Sequence, residues 1–406
     1  MRQHNFYPYG LLFLSGFAGL GYEMVWVRAL SAGLGHEIVS VLTVMAAFFV
    51  GLAAGAWLLE RPIRISRAPQ RWYAALELVV ALWALTLSYL IPKMAPWGAA
   101  LMGVQPSVPK QWGVTFVLPL VLLLPASVAM GATLPAMDCA VSRLGRRDRL
   151  VGGLYGANTL GAVAGTWAAA FWIVPAVGFS QTQRLLACVN LVCAAGVFAL
   201  GGGNAPRPEI PAARIHDGLP AQRLLMTLFF TGLLGIGYEV LSVRMLSQVL
   251  ENTVFSYAAL LSVYLLGTAA GAALYQSRLV GLAFTPTLSR LLMTQALACT
   301  AGMWVLRFSG HIYGFFGRMG PRAAESCVAA AVFLGPTLVM GALFSHLAQA
   351  AKQHHKGLGA ALAVNTLGGA GAPLLFGIVL LHGVRPVQCS PSAAATCCSC
   401  PSFGGP

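Results

Sequence analysis

The chain is built from apolar runs of about 20 residues, the length a helix needs to cross a hydrocarbon core about 30 Å thick. They fall at 11–34, 38–60, 72–91, 112–140, 150–174 and 182–201, then at 224–250, 254–276, 286–306, 327–351 and 357–381. No water is present in a bilayer to satisfy peptide groups, so a spanning segment is a helix or a strand of a closed barrel. These runs are continuous rather than alternating, which excludes the barrel. Charged residues make up only 9% of the chain, against about 25% in a soluble domain. It therefore lacks the polar surface of an ordinary soluble enzyme. The expectation is an all-α polytopic membrane protein with eleven spans and the lipid bilayer as its first partner.

The net charge of +14 does not point to a nucleic-acid partner, because the basic residues sit between the apolar runs. They report topology instead. Arg61, Arg64, Arg67 and Arg71 share one connection, and Arg143, Arg146, Arg147 and Arg149 another. With the N-terminus cytoplasmic, sixteen Lys and Arg residues fall on the inside and seven on the outside, as the positive-inside rule requires. The 307–322 connection is basic for an outside loop and is the weakest point of this assignment. The run from Leu11 is too long for a signal peptide and lacks a small-residue cleavage pattern, so it reads as a retained first helix.

Self-similarity organises the rest. Gly16-x-x-Gly19-x-Gly21-Tyr22-Glu23, followed by Val27-Arg28, recurs as Gly232-x-x-Gly235-x-Gly237-Tyr238-Glu239, followed by Val243-Arg244. Gly51-x-x-x-Gly55 returns as Gly267-x-x-x-Gly271. Met130-Gly131-Ala132 matches Met340-Gly341-Ala342, and Asn158-Thr159-Leu160-Gly161 matches Asn365-Thr366-Leu367-Gly368. Six spans separate the members of a pair, so the copies share one orientation and are parallel repeats about an axis along the membrane normal. The expected architecture is two parallel six-helix repeats, major-facilitator-like, with the last helix missing or altered. The implied organisation is 1–201 for the first repeat, 202–223 for a cytoplasmic linker, 224–383 for a five-helix second repeat and 384–406 for a tail.

The costly residues are those buried in the spans. Glu23 and Glu239 lie near the middle of the first and seventh runs, where an ionised side chain costs roughly 2.5–3.5 kcal/mol on insertion scales. Arg28 and Arg244 follow five residues later, about 7.5 Å along the helix and roughly 140° out of register. Each Glu is thus expected to meet a partner on another helix: the Arg of the opposite repeat, or Asn158 or Asn365. Two readings stay open, a structural acceptor that fixes helix packing and a group that handles substrate or protons. The adjacent Tyr22 and Tyr238 belong with the same candidate site.

The Gly-x-x-x-Gly pairs suit close helix approach. Gly19-x-Gly21 and Gly235-x-Gly237 are not a dinucleotide fingerprint, since no strand precedes them. Asp138 is expected in a solvated ion pair with Arg143 or Arg146. Glu77, in the third run, has no repeat counterpart and no explanation in the sequence. His354 and His355 lie in a basic connection without further ligands, so no metal and no cofactor is expected. After Gly383 the chain turns to Ser, Pro, Ala and Cys, with Cys389, Cys397, Cys398 and Cys400 close together. That composition reads as a disordered or frame-shifted tail.

The segment from Phe13 to Arg28, Ala47 to Gly55, Met-Gly-Ala-Thr-Leu-Pro at 130–135 and both Asn-Thr-Leu-Gly segments resemble bacterial fused major-facilitator/spermidine-synthase proteins. The resemblance covers about residues 11–383. It implies a multi-pass protein of the bacterial inner (plasma) membrane, and a soluble aminopropyltransferase-like domain or protein as partner. No glycine-rich strand-turn-helix and no acidic pair for a polyamine occurs here, so no catalytic residue can be assigned and enzyme activity is not expected of this chain.

Two functions follow. One is a carrier that moves a small solute, an amine being one candidate, by rocking two halves around a central cavity. The other, implied by the resemblance, is a membrane-anchoring module for an aminopropyltransferase of the spermidine-synthase type. An inactive fragment of a longer gene is a third reading, suggested by the odd tail. The repeat itself is open to test: reporter fusions placed in the 61–71 and 143–149 connections are expected on the same, cytoplasmic, face. Opposite faces would remove the parallel duplication.

Overall fold

In lipid, helices gain little from burying apolar surface against each other, so small residues that let backbones touch become the main packing device. The computed structural model describes residues 6–34, 37–103, 105, 107–143, 151–200, 220–246, 254–353, 357–373 and 375–376. Most of the linker, the 384–406 tail, His354 and His355 lie outside the described residues.

The first half contains α1 (Tyr7–Leu34), α2 (Glu37–Ile65), α3 (Pro69–Met102), the short α4 (Val108–Trp112), α5 (Leu118–Ser142), α6 (Val151–Trp167) and α7 (Val174–Gly196). The second half contains α8 (Ala221–Leu246), α9 (Val254–Leu274), α10 (Phe284–Arg307), α11 (Ser309–Phe316), α12 (Pro321–Gln353) and α13 (Gly357–Ala372). Wider π-helical turns occur at Gly113–Val117, Ala168–Ile173 and Tyr275–Leu279. Among the described residues, eight helical stretches are long and apolar enough to cross a membrane. One of them, Gly152–Leu200, is interrupted at Gly178, whose φ of 77° and ψ of 176° are non-helical. A positive φ is cheap only without a Cβ, so this glycine turns the run expected at 150–174 into the one expected at 182–201. A further candidate is the pair α10 and α11, bent by 65°.

Packing repeats as the sequence does. In the first half α1 lies along α6 and α2 along α5; in the second, α8 lies along α13 and α9 along α12. The contacts match residue for residue. A Cβ on Gly16 would strike the Asn158 carbonyl oxygen, and one on Gly232 would strike that of Asn365. Gly55 meets the Val128 carbonyl and Gly271 the Leu338 carbonyl in the same manner. The halves join through α6 on α9 and α2 on α13. Since α2 corresponds to α9 and α6 to α13, these two joints are one joint repeated about a pseudo-twofold axis.

Among the described residues, the match does not extend to α7. It packs along α3 and α1, with Leu186 against the face of Gly21. At the matching face of α8, Gly237 meets the ring of Phe376.

Leucine at Gly55 or Gly271 is expected to lower the melting temperature and folded yield in detergent, at a cost of roughly 1–3 kcal/mol or more. Gly10→Ala, where nothing lies within 4 Å, is the control and should leave both unchanged.

Candidate functional site

Glu23 and Glu239 enter from equivalent positions on α1 and α8, one from each half. Both are closely surrounded by protein yet only partly sealed from solvent. They lie within electrostatic reach of each other. Among the described residues, neither carboxylate has a hydrogen bond or an ion pair, so the expected partners are not there. Arg28 instead points Nη1 at the Ala170 carbonyl, 3.5 Å away in the π-helical turn, and its Nε has no partner. Arg244 sits in the last turn of α8.

A cavity of about 610 Å³ lies along α8, lined mostly by the second half. Tyr238, Tyr264, Gln295, Cys299, Met340 and Asn365 form much of its wall, and Phe49 and Tyr155 reach in from the first half. Its size falls within the range of small-molecule sites, about 300–1,000 Å³. Glu23 and Glu239 are not among the wall residues, although Tyr264 lies within electrostatic range of Glu239, Tyr155 and Cys299. Tyr155 meets Phe344 of the other half at 4.9 Å between ring centroids. Gln295 donates to Cys299 Sγ at 3.0 Å, and its Oε1 is a buried acceptor with no donor.

The two Asn residues do different things. Both present their backbone carbonyls to the paired glycines, but Asn365 also lines the cavity and accepts weakly from Thr231 at 3.4 Å. Tyr22 and Tyr238 diverge as well. Tyr22 donates to Asn190 Oδ1 on α7 at 2.9 Å, whereas Tyr238 donates to the Val332 carbonyl on α12 at 2.9 Å.

One end of the bundle, where the closing turns of α2, α5 and α12 meet the start of α13, is tied across the halves. Asp138 is buried, and its partner is Lys352 of α12, with Nζ at 2.7 Å from Oδ1. This replaces the expected pair with Arg143 or Arg146. Arg143 donates instead to the Ser66 and Arg67 carbonyls. Lys352 also donates to Ser142 Oγ at 3.2 Å. Glu60 accepts the Ala360 amide at 2.8 Å, at the amino end of α13, where unpaired N–H groups and the helix dipole favour an anion. Sequence reasoning passed over Glu60 and Lys352. The available signal was an acid in the closing turns of α2, where it opposes that helix's own dipole and needs an outside partner.

No family model matches the chain, and no curated protein matches it. Among solved structures it is similar to the proton:xylose symporter XylE of the major facilitator superfamily, solved with 6-bromo-6-deoxy-D-glucose, at a TM-score of 0.50 and 13% identity. The match covers 93% of this chain and 89% of that one. The fold is major-facilitator-like. At such low identity the likeness extends to the fold alone. In this major-facilitator-like frame the paired acids lie where the two halves face each other, and the Asp138–Lys352 and Glu60–α13 contacts cross the same divide at one end.

Asp138→Asn, Lys352→Met and Glu60→Gln are each expected to loosen that end. Cys139, beside Asp138, is a native reporter, and its alkylation should accelerate by about fivefold or more, the factor released by about 1 kcal/mol of lost coupling. Unchanged Cys139 reactivity in all three would show that these contacts do not hold the end closed.

Proposed function

We infer that the chain is a membrane carrier whose halves, 1–201 and 224–383 joined by 202–223, rock around a central site and move a small cationic solute, an amine. The observation that carries this reading is the pair of acids at duplicated positions, uncompensated by any described cation, at the divide of a major-facilitator-like fold. An unpaired carboxylate inside a membrane is costly to keep unless it takes up a proton, a cation or a ligand. The surroundings suit an organic cation, since tyrosine faces attract ammonium groups and the free Gln295 Oε1 can accept an N–H. Glu23 and Glu239 would take the charge, and Tyr238, Tyr264, Asn158 and Asn365 would shape the path. Arg28 and Arg244, further along the same helices, would bound it. The proposed setting is the inner membrane of a bacterium with the N-terminus cytoplasmic.

The competing reading, an anchor for an aminopropyltransferase-like partner, requires neither acid. Uptake of radiolabelled monoamines and diamines into vesicles separates the two. The carrier reading expects uptake by the unaltered protein and a loss of at least about tenfold in Glu23→Gln/Glu239→Gln, the effect of about 1.4 kcal/mol. Full uptake by the double variant would overturn the role given to the acids.

A further inference from the structure

Glu77 is the acid that the carrier reading leaves unused. It lies on α3, fully buried at 0% exposure, and no cation faces it among the described residues. Three neutral elements surround it. From α1, Ser15 Oγ donates to Oε1 at 2.6 Å. From α7, Asn190 Nδ2 donates to Oε2 at 2.6 Å. On α3 itself, Tyr73 lies within hydrogen-bonding reach and also points its hydroxyl at the Leu11 carbonyl, 3.4 Å away. Cys193 of α7 and Tyr22 of α1 are further titratable neighbours, and the Cys193 thiol is turned to the same Leu11 carbonyl at 3.5 Å.

The bond from Asn190 has a directional consequence. An asparagine side chain has one donating and one accepting end. With Nδ2 committed to the Glu77 carboxylate, Oδ1 faces Tyr22 and accepts its hydroxyl proton at 2.9 Å. Tyr22 in turn stacks on Trp26 at 5.2 Å and 16°, and Trp26 Nε1 donates to Gln183 Oε1 of α7 at 3.1 Å. The chain Glu77–Asn190–Tyr22 therefore fixes the rotation of α1 against α7. Residue 23 follows residue 22 about 100° round the helix, so the direction of Tyr22 sets that of Glu23.

Among the described residues, the second half shows no such chain. Tyr238 bonds to a backbone carbonyl of α12, which carries no side-chain polarity to be set. The tyrosines next to the two acids are thus held differently although their sequences match.

We propose that Glu77 is a positioning residue: as the acceptor that orients the Asn190 amide, it aims Tyr22 and thereby holds Glu23 in place, whereas Glu239 has no equivalent hold among the described residues. The proposal deepens the reading of Glu23 as a site residue, but its test needs no substrate. A hydrophobic carbodiimide reacts with carboxyl groups in apolar surroundings, and peptide mass spectrometry can compare Glu23 with Glu239 in the same molecule. Glu77→Leu and Tyr22→Phe each break the chain, the second with little change in shape. Both are expected to raise the Glu23:Glu239 labelling ratio by about fivefold, as loss of one hydrogen bond allows. Glu77→Gln is expected to stay near the unaltered ratio, because its carbonyl can face Asn190 while its amide donates to Ser15.

A general loss of stability would move both acids together and leave the ratio unchanged, which would overturn the proposal. A Glu77→Gln ratio as high as that of Glu77→Leu would also overturn it, since charge and not hydrogen-bond direction would then matter. Failure of amine uptake in the unaltered protein would sink the carrier reading without touching either outcome.

Discussion

Backbone-to-backbone contact is the constraint on which the rest of this structure depends. Lipid chains are as apolar as leucine, so two helices in a membrane are held by van der Waals fit and polar contacts rather than by expulsion of water. Gly16, Gly55, Gly232 and Gly271 provide that fit by letting a carbonyl oxygen of the neighbouring helix occupy the place of a side chain. Because the same two contacts are made in each half, each half presents an equivalent surface to the other. The α6–α9 and α2–α13 joints then follow from the symmetry and need no separate explanation.

Against this repeated frame the buried polar groups fall into two kinds. Glu77, Asn190, Tyr22 and Ser15 satisfy one another with directional hydrogen bonds and tie three helices of the first half together. Buried networks of this sort are rigid when complete, since any lost partner leaves a desolvated group behind. Glu23, Glu239 and the Gln295 carbonyl are of the other kind, with binding capacity that the described protein does not use. The carrier proposed here would use both: a rigid half as a lever and unsatisfied groups at the divide for a ligand to satisfy. The tie at one end, Asp138 with Lys352 and Glu60 with the start of α13, is also polar, so it can be made and broken at modest cost.

Much of the fold was legible before any coordinates. The eleven runs correspond to helices, the break between the fifth and sixth falls at Gly178, and the duplicated motifs mark helices that pack alike. Span length and small-residue spacing are local properties, and the bilayer turns them directly into structure. The candidate site was legible only in its membership. The cost of burying Glu23 and Glu239 singled them out, yet the partners expected for them proved wrong. Arg28 bonds to a π-helical turn, and Asp138 reaches past its arginine neighbours to Lys352. Glu77 had no explanation at all, because its partners Ser15 and Asn190 lie on other helices at no characteristic spacing.

The amino-acid sequence by itself determined that the chain crosses a membrane many times as helices, that it contains one unit twice in the same orientation, and that each unit carries an acid. These are consequences of transfer cost and periodicity, which depend on residue type and order alone. Only the tertiary structure decided that Glu77 is held by hydrogen bonds from Ser15 and Asn190, while Glu23 and Glu239 have none among the described residues. Hydrogen-bond direction depends on where three helices meet and which end of an amide each presents, and nothing in a linear pattern encodes that.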